Sequence, residues 1–435
     1  MTIVYIILAL FTIYQYIKKR YLAFILCYTA LMTELFMFDT IGSSVRGSDL
    51  CFFMNFILFP VALSRRRSEN INDKETNKVI KLFIGFIIFE FAFTYITGAD
   101  SVGYALKVIR IPLMFLAYYP FSTIPLDTYK RFIKIMLWVT IIQGILFLLQ
   151  FVGINLLAGR FDTDSFAFAF ALNIPTFIYF YIFFSLDAKC IKKYKYPLLV
   201  LFFVILLFTY VRSIIIALLA CVIIYIVTIR GLKRSMPIIL SLVIIAPIVM
   251  GVLEKKSAVS GSSMSTKQEI QLLFSGVDNL RRVGDEGGSS IFRMAMLIER
   301  IDYLVKNPQY LLFGVGAIHE DSPNCYNRFD FTLGTRNEGR MFGKCLIESG
   351  DITWVPVSLR YGLAGVAIHL TILIIIAKLA RKRKDTLKIL FPLIIFIFLK
   401  SFSGPLFENP IRCIELVIYM SLLTRCSAEK KELIM

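Results

Sequence analysis

Long apolar runs of Ile, Leu and Phe, separated by short basic or near-neutral connections, set the pattern of this chain. They fall at about 2–17, 21–38, 50–64, 79–97, 103–121, 134–153, 166–186, 197–211, 213–229, 237–253, 351–377, 388–404 and 411–425. A hydrocarbon core about 30 Å thick needs roughly 20 apolar residues per helix. The runs are continuous, not ten-residue alternating stretches, so they predict membrane helices and exclude an outer-membrane barrel. One hydrophilic stretch interrupts them, from Glu254 to Gly350. The expected fold is therefore an all-α polytopic membrane protein with about 12–13 transmembrane helices and one large extracytoplasmic loop. Its parts are a transmembrane bundle over 1–253, the loop with short helices over 254–350, and C-terminal transmembrane helices over 351–435.

Within the polar block, Ser257 to Ser263 and Gly284 to Ser290 read as loops, with a short helix over Gln268 to Leu273 between them. From Ile291, apolar residues recur at Ala295, Ile298, Ile301 and Val305, a helical stripe that stops where Asn307 meets Pro308. Arg293 and Arg300 share a face of that helix, which is expected to lie along the bundle or the membrane surface.

Charge adds an orientation. The block carries twelve Lys/Arg and twelve Asp/Glu, so it is neutral while the whole chain is +18. Basic clusters fall at alternate connections: Lys18 to Arg20, Arg65 to Arg67, Lys130 with Arg131 and Lys134, Lys192 to Lys195, Arg230 to Arg234, Lys378 to Lys384, and Lys430 with Lys431. Basic loops stay on the cytoplasmic side. One assignment then satisfies every connection, with thirteen spans, the N-terminus outside, the C-terminus inside and the block extracytoplasmic. The basic balance is thus loop bias and not a nucleic-acid footprint. The first run has no basic region ahead of it and no small-residue cleavage site after it, so it reads as a retained helix. With two histidines in the chain, a His-rich metal site is close to excluded. Cys325 and Cys345 both fall in the block and are expected to pair in an oxidising compartment.

Ionisable residues inside apolar runs are functional candidates. Arg110 sits inside a long run, Arg212 interrupts the apolar stretch from Pro197 to Ile229, and Arg160 lies on the same outer face. Guanidinium stays charged, forks onto phosphate or carboxylate, and desolvates more cheaply than ammonium. Arginines converging at one membrane face therefore suit an anionic lipid head group, such as a diphosphate on a lipid tail. Acid or base candidates are Asp351, where the block returns to the membrane, with Glu348, Glu299 and His319. His369 is expected to be structural, and Glu408 with Arg412 to form an exposed ion pair. There is no Walker-type phosphate loop, no triad spacing and no Asp-x-Asp pair calling for a metal.

Several segments resemble a known family. They are Gly159-Arg160-Phe-Asp-Thr ahead of Asn173-Ile-Pro175, Thr209-Tyr-Val-Arg212-Ser213, Phe292-Arg293 leading to Asn307-Pro308, Phe313-Gly-Val-Gly316, and Gly350-Asp351 followed by Tyr361-Gly-Leu-Ala-Gly365. Their order resembles the O-antigen polymerase (Wzy) and O-antigen ligase superfamily of bacterial inner-membrane glycosyltransferases, over about Lys107 to Gly365. The resemblance implies a GT-C-like enzyme without cofactor or metal. It implies an undecaprenyl-diphosphate-linked oligosaccharide donor with arginines on the diphosphate, which matches Arg212 and Arg293 here; the reading of the residues adds Arg110 and Arg160 to them and offers Asp351, Glu348 or His319 as base. The chain departs from the family's His-Asn-like pair near the return to the membrane, and carries Val211 where Ser is common. Both departures favour a polymerase of O-antigen, capsular or exopolysaccharide repeats over a ligase acting on lipid A core or protein. A lipid-linked-oligosaccharide flippase is the reading from another class. Expected partners are the lipid-linked oligosaccharide, the bilayer of the bacterial inner membrane, and as candidates a chain-length regulator and a flippase, but no nucleic acid.

Overall fold

A computed structural model describes residues 2–32, 47–69, 71, 74–150, 152, 154, 174–184, 192–208, 212–230, 236, 240, 289–329, 331, 347, 352–382 and 389–429. Every predicted run except 237–253 carries a described helix. In order these are α1 (Thr2–Ile17), α2 (Tyr21–Met32), α3 (Gly47–Ser68), α4 (Lys74–Ile96), α5 (Val102–Ile109), a 3-10 turn (Pro112–Ala117), α6 (Tyr118–Ser122), α7 (Leu126–Gln150), α8 (Ile174–Phe184), α9 (Lys195–Phe208) and α10 (Arg212–Arg230). The polar block contributes α11 (Ser289–Lys306) and α12 (Pro323–Arg328), and the chain continues with α13 (Trp354–Lys382), α14 (Leu390–Lys400) and α15 (Pro410–Glu429). Among the described residues there is no strand.

Among these, α3, α4, α7 and α13 are long and apolar enough to cross a membrane. The pair Val102–Ile109 and Pro112–Ser122, bent by 49°, qualifies as one broken span, and five shorter apolar helices accompany them. Outward residues such as Ile3, Ile7 and Leu10 stay apolar and exposed, as a lipid-facing surface requires. The chain is an all-α, multi-pass membrane protein.

Two local departures from the sequence pattern have evident causes. The run 103–121 is not one helix, because Pro112 lacks an N–H and its ring clashes with the preceding turn. Arg110 caps α5 at that break. The helix α7 begins at Leu126, so Lys130, Arg131 and Lys134 lie on its first turns and not in a connection.

Arg65, Arg66 and Arg425 hold one end of the bundle together. Arg65 donates from Nη1 to the Tyr16 carbonyl at 2.7 Å and from Nη2 to the Ile17 carbonyl at 2.8 Å, closing the C-terminus of α1. Arg66 bonds Ser122 and lies 5.2 and 5.6 Å from the rings of Tyr118 and Tyr119. Arg425, near the end of α15, meets Glu69 at 2.5 Å and also donates to the Thr123 carbonyl. The same helices present their other ends elsewhere: Asp49 in the first turn of α3 and Pro410 at the start of α15 line a shared cavity. With 22 residues in α3, that cavity lies roughly 30 Å from the basic end.

Candidate functional site

The site is built on an interrupted helix. Within α13, Gly362 has φ 59° and ψ −159°, a region essentially reserved for glycine. An unbroken helix would pair the Leu363 and Ala364 N–H groups with the carbonyls of Leu359 and Arg360. Here the four groups find partners in the segment before α12. Leu363 and Ala364 donate to the carbonyls of Leu311 and Leu312, each at 3.0 Å, while Val315 and Gly316 donate to the carbonyls of Leu359 and Arg360 at 2.9 and 3.0 Å. Non-helical backbone is tolerated at such a place only when the protein itself satisfies it. Gly314 and Gly316, with φ +72° and +93°, let the segment approach this closely. The two glycine motifs read separately in the sequence are one joint.

That joint carries the segment onto α4 and α5. Ala317 N–H donates to Thr94 Oγ1 at 2.7 Å. Asp100, buried in the α4–α5 connection, accepts from His319 N at 3.0 Å, Ser322 Oγ at 2.6 Å and Ser101 N at 2.7 Å. The His319 ring stacks on Tyr104 with centroids 5.6 Å apart. Its Nδ1 accepts the Asp321 N–H at 3.1 Å, so in the neutral ring the proton sits on Nε2.

These contacts frame a cavity of about 560 Å³ whose walls come from the first turn of α3, from α5 and the break after it, from the 319–321 turn and from the 408–410 turn. Arg110 and His319 line it together, beside Asp49, Lys107, Asp321 and Glu408. Arg110 Nη1 lies 2.5 Å from Asp49, and its side chain is partly exposed.

Arg360, which the sequence reading passed over, stands behind the cavity. It is fully buried two residues before the break, donates from Nε to the Ile318 carbonyl at 3.0 Å and from Nη1 to Glu408 at 2.5 Å. The signal that singles out Arg110, a cation inside an apolar run, applies equally to Arg360. The expected Glu408–Arg412 pair does not form. Glu408 precedes α15 and so shares no helix face with Arg412, which pairs within α15 with Glu415 at 2.9 Å.

The remaining candidates lie elsewhere. Arg293 is half-buried on α11, which packs against α13, and does not line the cavity. On the same helix Arg300 and Glu299 are buried and paired at 2.5 Å, with the Arg300 guanidinium 4.2 Å from the Phe331 ring. Arg212 opens α10, but its side chain lies outside the described residues, as do Arg160, Glu348 and Asp351. Cys325 is buried, and Cys345, its expected partner, is outside the described residues. His369 is buried against Phe83, Tyr361 and Phe407 with Nδ1 on the Gly365 carbonyl at 2.7 Å, a structural placement. Between α11 and α13 runs a second, apolar cavity of about 310 Å³ lined by Leu297, Ile301, Trp354 and Phe398. Among the described residues no three His, Cys, Asp or Glu side chains are placed to hold a metal ion.

Fold and site thus define a multi-pass helical membrane protein with a polar, charged cavity at one end of its bundle and an apolar one alongside. Residues 197–340 match the O-antigen ligase family, Wzy_C, which supports the O-antigen polymerase and ligase superfamily for this chain. The matched part, about a third of the length, spans α9 to α12 and contains Arg212, Arg293 and His319; it ends before Glu348 and Asp351. The family supports an O-antigen ligase or polymerase type of function and a glycosyltransferase-like enzyme. No curated protein matches the chain.

Proposed function

We propose that the protein is a polymerase that joins undecaprenyl-diphosphate-linked oligosaccharide repeats on the periplasmic face of the bacterial inner membrane. The observation that carries the reading is the position of the polar cavity, at the opposite end of α3 and α15 from the basic residues Arg66 and Arg425. Basic segments favour the cytoplasm, so the cavity end faces the periplasm, where lipid-linked repeats are joined. In this reading the growing chain on its lipid diphosphate is the donor. Arg212 and Arg293, with Arg160, neutralise the departing diphosphate, stabilising charge as it develops. The apolar cavity one and two turns along α11 from Arg293 offers a surface for the lipid tail. A sugar hydroxyl of the next unit attacks the anomeric carbon, and its proton passes to a side-chain base on the same face; Asp351, Glu348 and His319 are the candidates named from the sequence alone.

The description of the matched family, O-antigen ligase, favours a second reading, which for this chain would be transfer of the finished glycan to lipid A core or protein. One experiment separates them. Membranes containing the full chain are given lipid-linked repeats extracted from cells lacking it. The polymerase reading expects multimers on the lipid carrier with no other acceptor present. Products formed only when lipid A core or protein is added would establish the ligase.

A further inference from the structure

We propose that the cavity beside Arg110 and His319 holds the acceptor sugar, not the diphosphate, and that Glu408 is the catalytic base that takes the proton of the attacking hydroxyl. The proposal rests on the polymerase reading and names a site within it. Among the described residues four carboxylates line the cavity, Asp49, Glu320, Asp321 and Glu408, against Lys107 and Arg110. The Arg110 charge is already met by Asp49 at 2.5 Å. A diphosphate would bring further negative charge to walls that hold more acid than base, and like charges facing one another are costly. Sugar hydroxyls make the opposite demand, for acceptors and donors at close spacing, which carboxylates, Asn409 and Ser48 supply. The volume, about 560 Å³, is that of a small-molecule site.

Glu408 is aimed by an immobile partner. Its side chain is 13% exposed and bonded to Arg360, whose own side chain is 1% exposed and anchored on the Ile318 carbonyl. Asp49 is engaged by Arg110 at the rim, and the Asp321 side chain is 55% exposed. His319, with Nδ1 accepting the Asp321 N–H, presents Nε2–H as a donor to a ligand oxygen. In the step, the acceptor oxygen forms the new bond to the anomeric carbon while the bond from that carbon to the diphosphate oxygen breaks. The diphosphate leaves with the electron pair, and the hydroxyl proton goes to a Glu408 oxygen. Arg360 orients the Glu408 carboxylate, and the proton leaves late, from an oxygen made acidic by the bond it is forming.

The test uses the membrane assay above, with protein level measured for every variant. Glu408→Gln is expected to slow polymerisation by about 100-fold or more with little change in the concentration of lipid-linked repeats at half-maximal rate. Arg360→Gln/Glu408→Gln, which removes both charges, is expected to stay as slow and serves as the folded control. A double variant restored to near wild-type rate would reduce Glu408 to a counter-ion for Arg360 and overturn its assignment as base, as would a Glu408→Gln chain at full rate. A wild-type chain that joins no repeats would overturn the polymerase reading and this assignment together. For the ligand class, Asp321→Cys is labelled with an impermeant maleimide, the parent chain's labelling being subtracted. Oligosaccharide released from the repeat unit should protect it and inorganic pyrophosphate should not. Protection by pyrophosphate alone would make the cavity a diphosphate site.

Discussion

Gly362 shows how much can rest on one residue. A Cβ there would lie 2.5 Å from both the Gly314 nitrogen and the Leu312 carbonyl oxygen, on a backbone that L side chains avoid. Gly362→Ala is expected to cost about 3 kcal/mol or more and to lower the melting temperature of the purified protein, whereas Gly85→Ala, whose Cβ meets nothing within 4 Å, should leave it nearly unchanged. Equal effects of the two would mean that the joint carries no special strain. Both glycine motifs, Phe313 to Gly316 and Tyr361 to Gly365, were visible in the sequence, but their pairing was not. Nothing in a periodicity connects segments so far apart along the chain. Arg360 and Glu408 were hidden for related reasons. The arginine lay within an apolar run read only for its length, and the glutamate was read as half of an exposed ion pair with Arg412, which instead lies inside α15 and pairs there with Glu415.

Hydrophobic runs predicted helix positions well because burial in lipid or core demands continuous apolar sequence. They predicted helix ends less well. Polar residues can extend a helix beyond its apolar part, as Lys130 and Arg131 do in α7, and a proline can divide a run, as Pro112 does. The basic clusters were read for orientation alone, yet they also close helix termini. Arg65 satisfies two carbonyls at the end of α1. Its guanidinium also lies 4.5 Å from the Tyr16 ring. Arg65→Ala should therefore destabilise the α1–α3 contact by about 1–2 kcal/mol, read as earlier hydrogen exchange at the C-terminal end of α1. Arg65→Lys should recover only part, since an ammonium cannot fork onto two carbonyls. Unaltered exchange in the alanine variant would mean that α1 is held by its apolar face alone.

The whole molecule has two ends of different chemistry. One gathers Arg65, Arg66 and Arg425 among helix termini; the other gathers the charged cavity, the Gly362 joint and the turn carrying Glu408. In intact cells Lys306→Cys, at the exposed C-terminal end of α11, should react with an impermeant maleimide, and Glu69→Cys should react only after lysis. The reverse pattern would invert the orientation and remove the periplasmic site. If an arginine-held lipid diphosphate leaves as repeats are joined, loss of one of those arginines shortens the surface glycan. In a strain whose only copy carries Arg212→Ala, with protein level and membrane insertion verified, the ladder of repeats should collapse to a single attached repeat. An unchanged ladder would contradict the role of Arg212 on the diphosphate, and full-length polymer left on its lipid carrier would show a ligase in place of a polymerase.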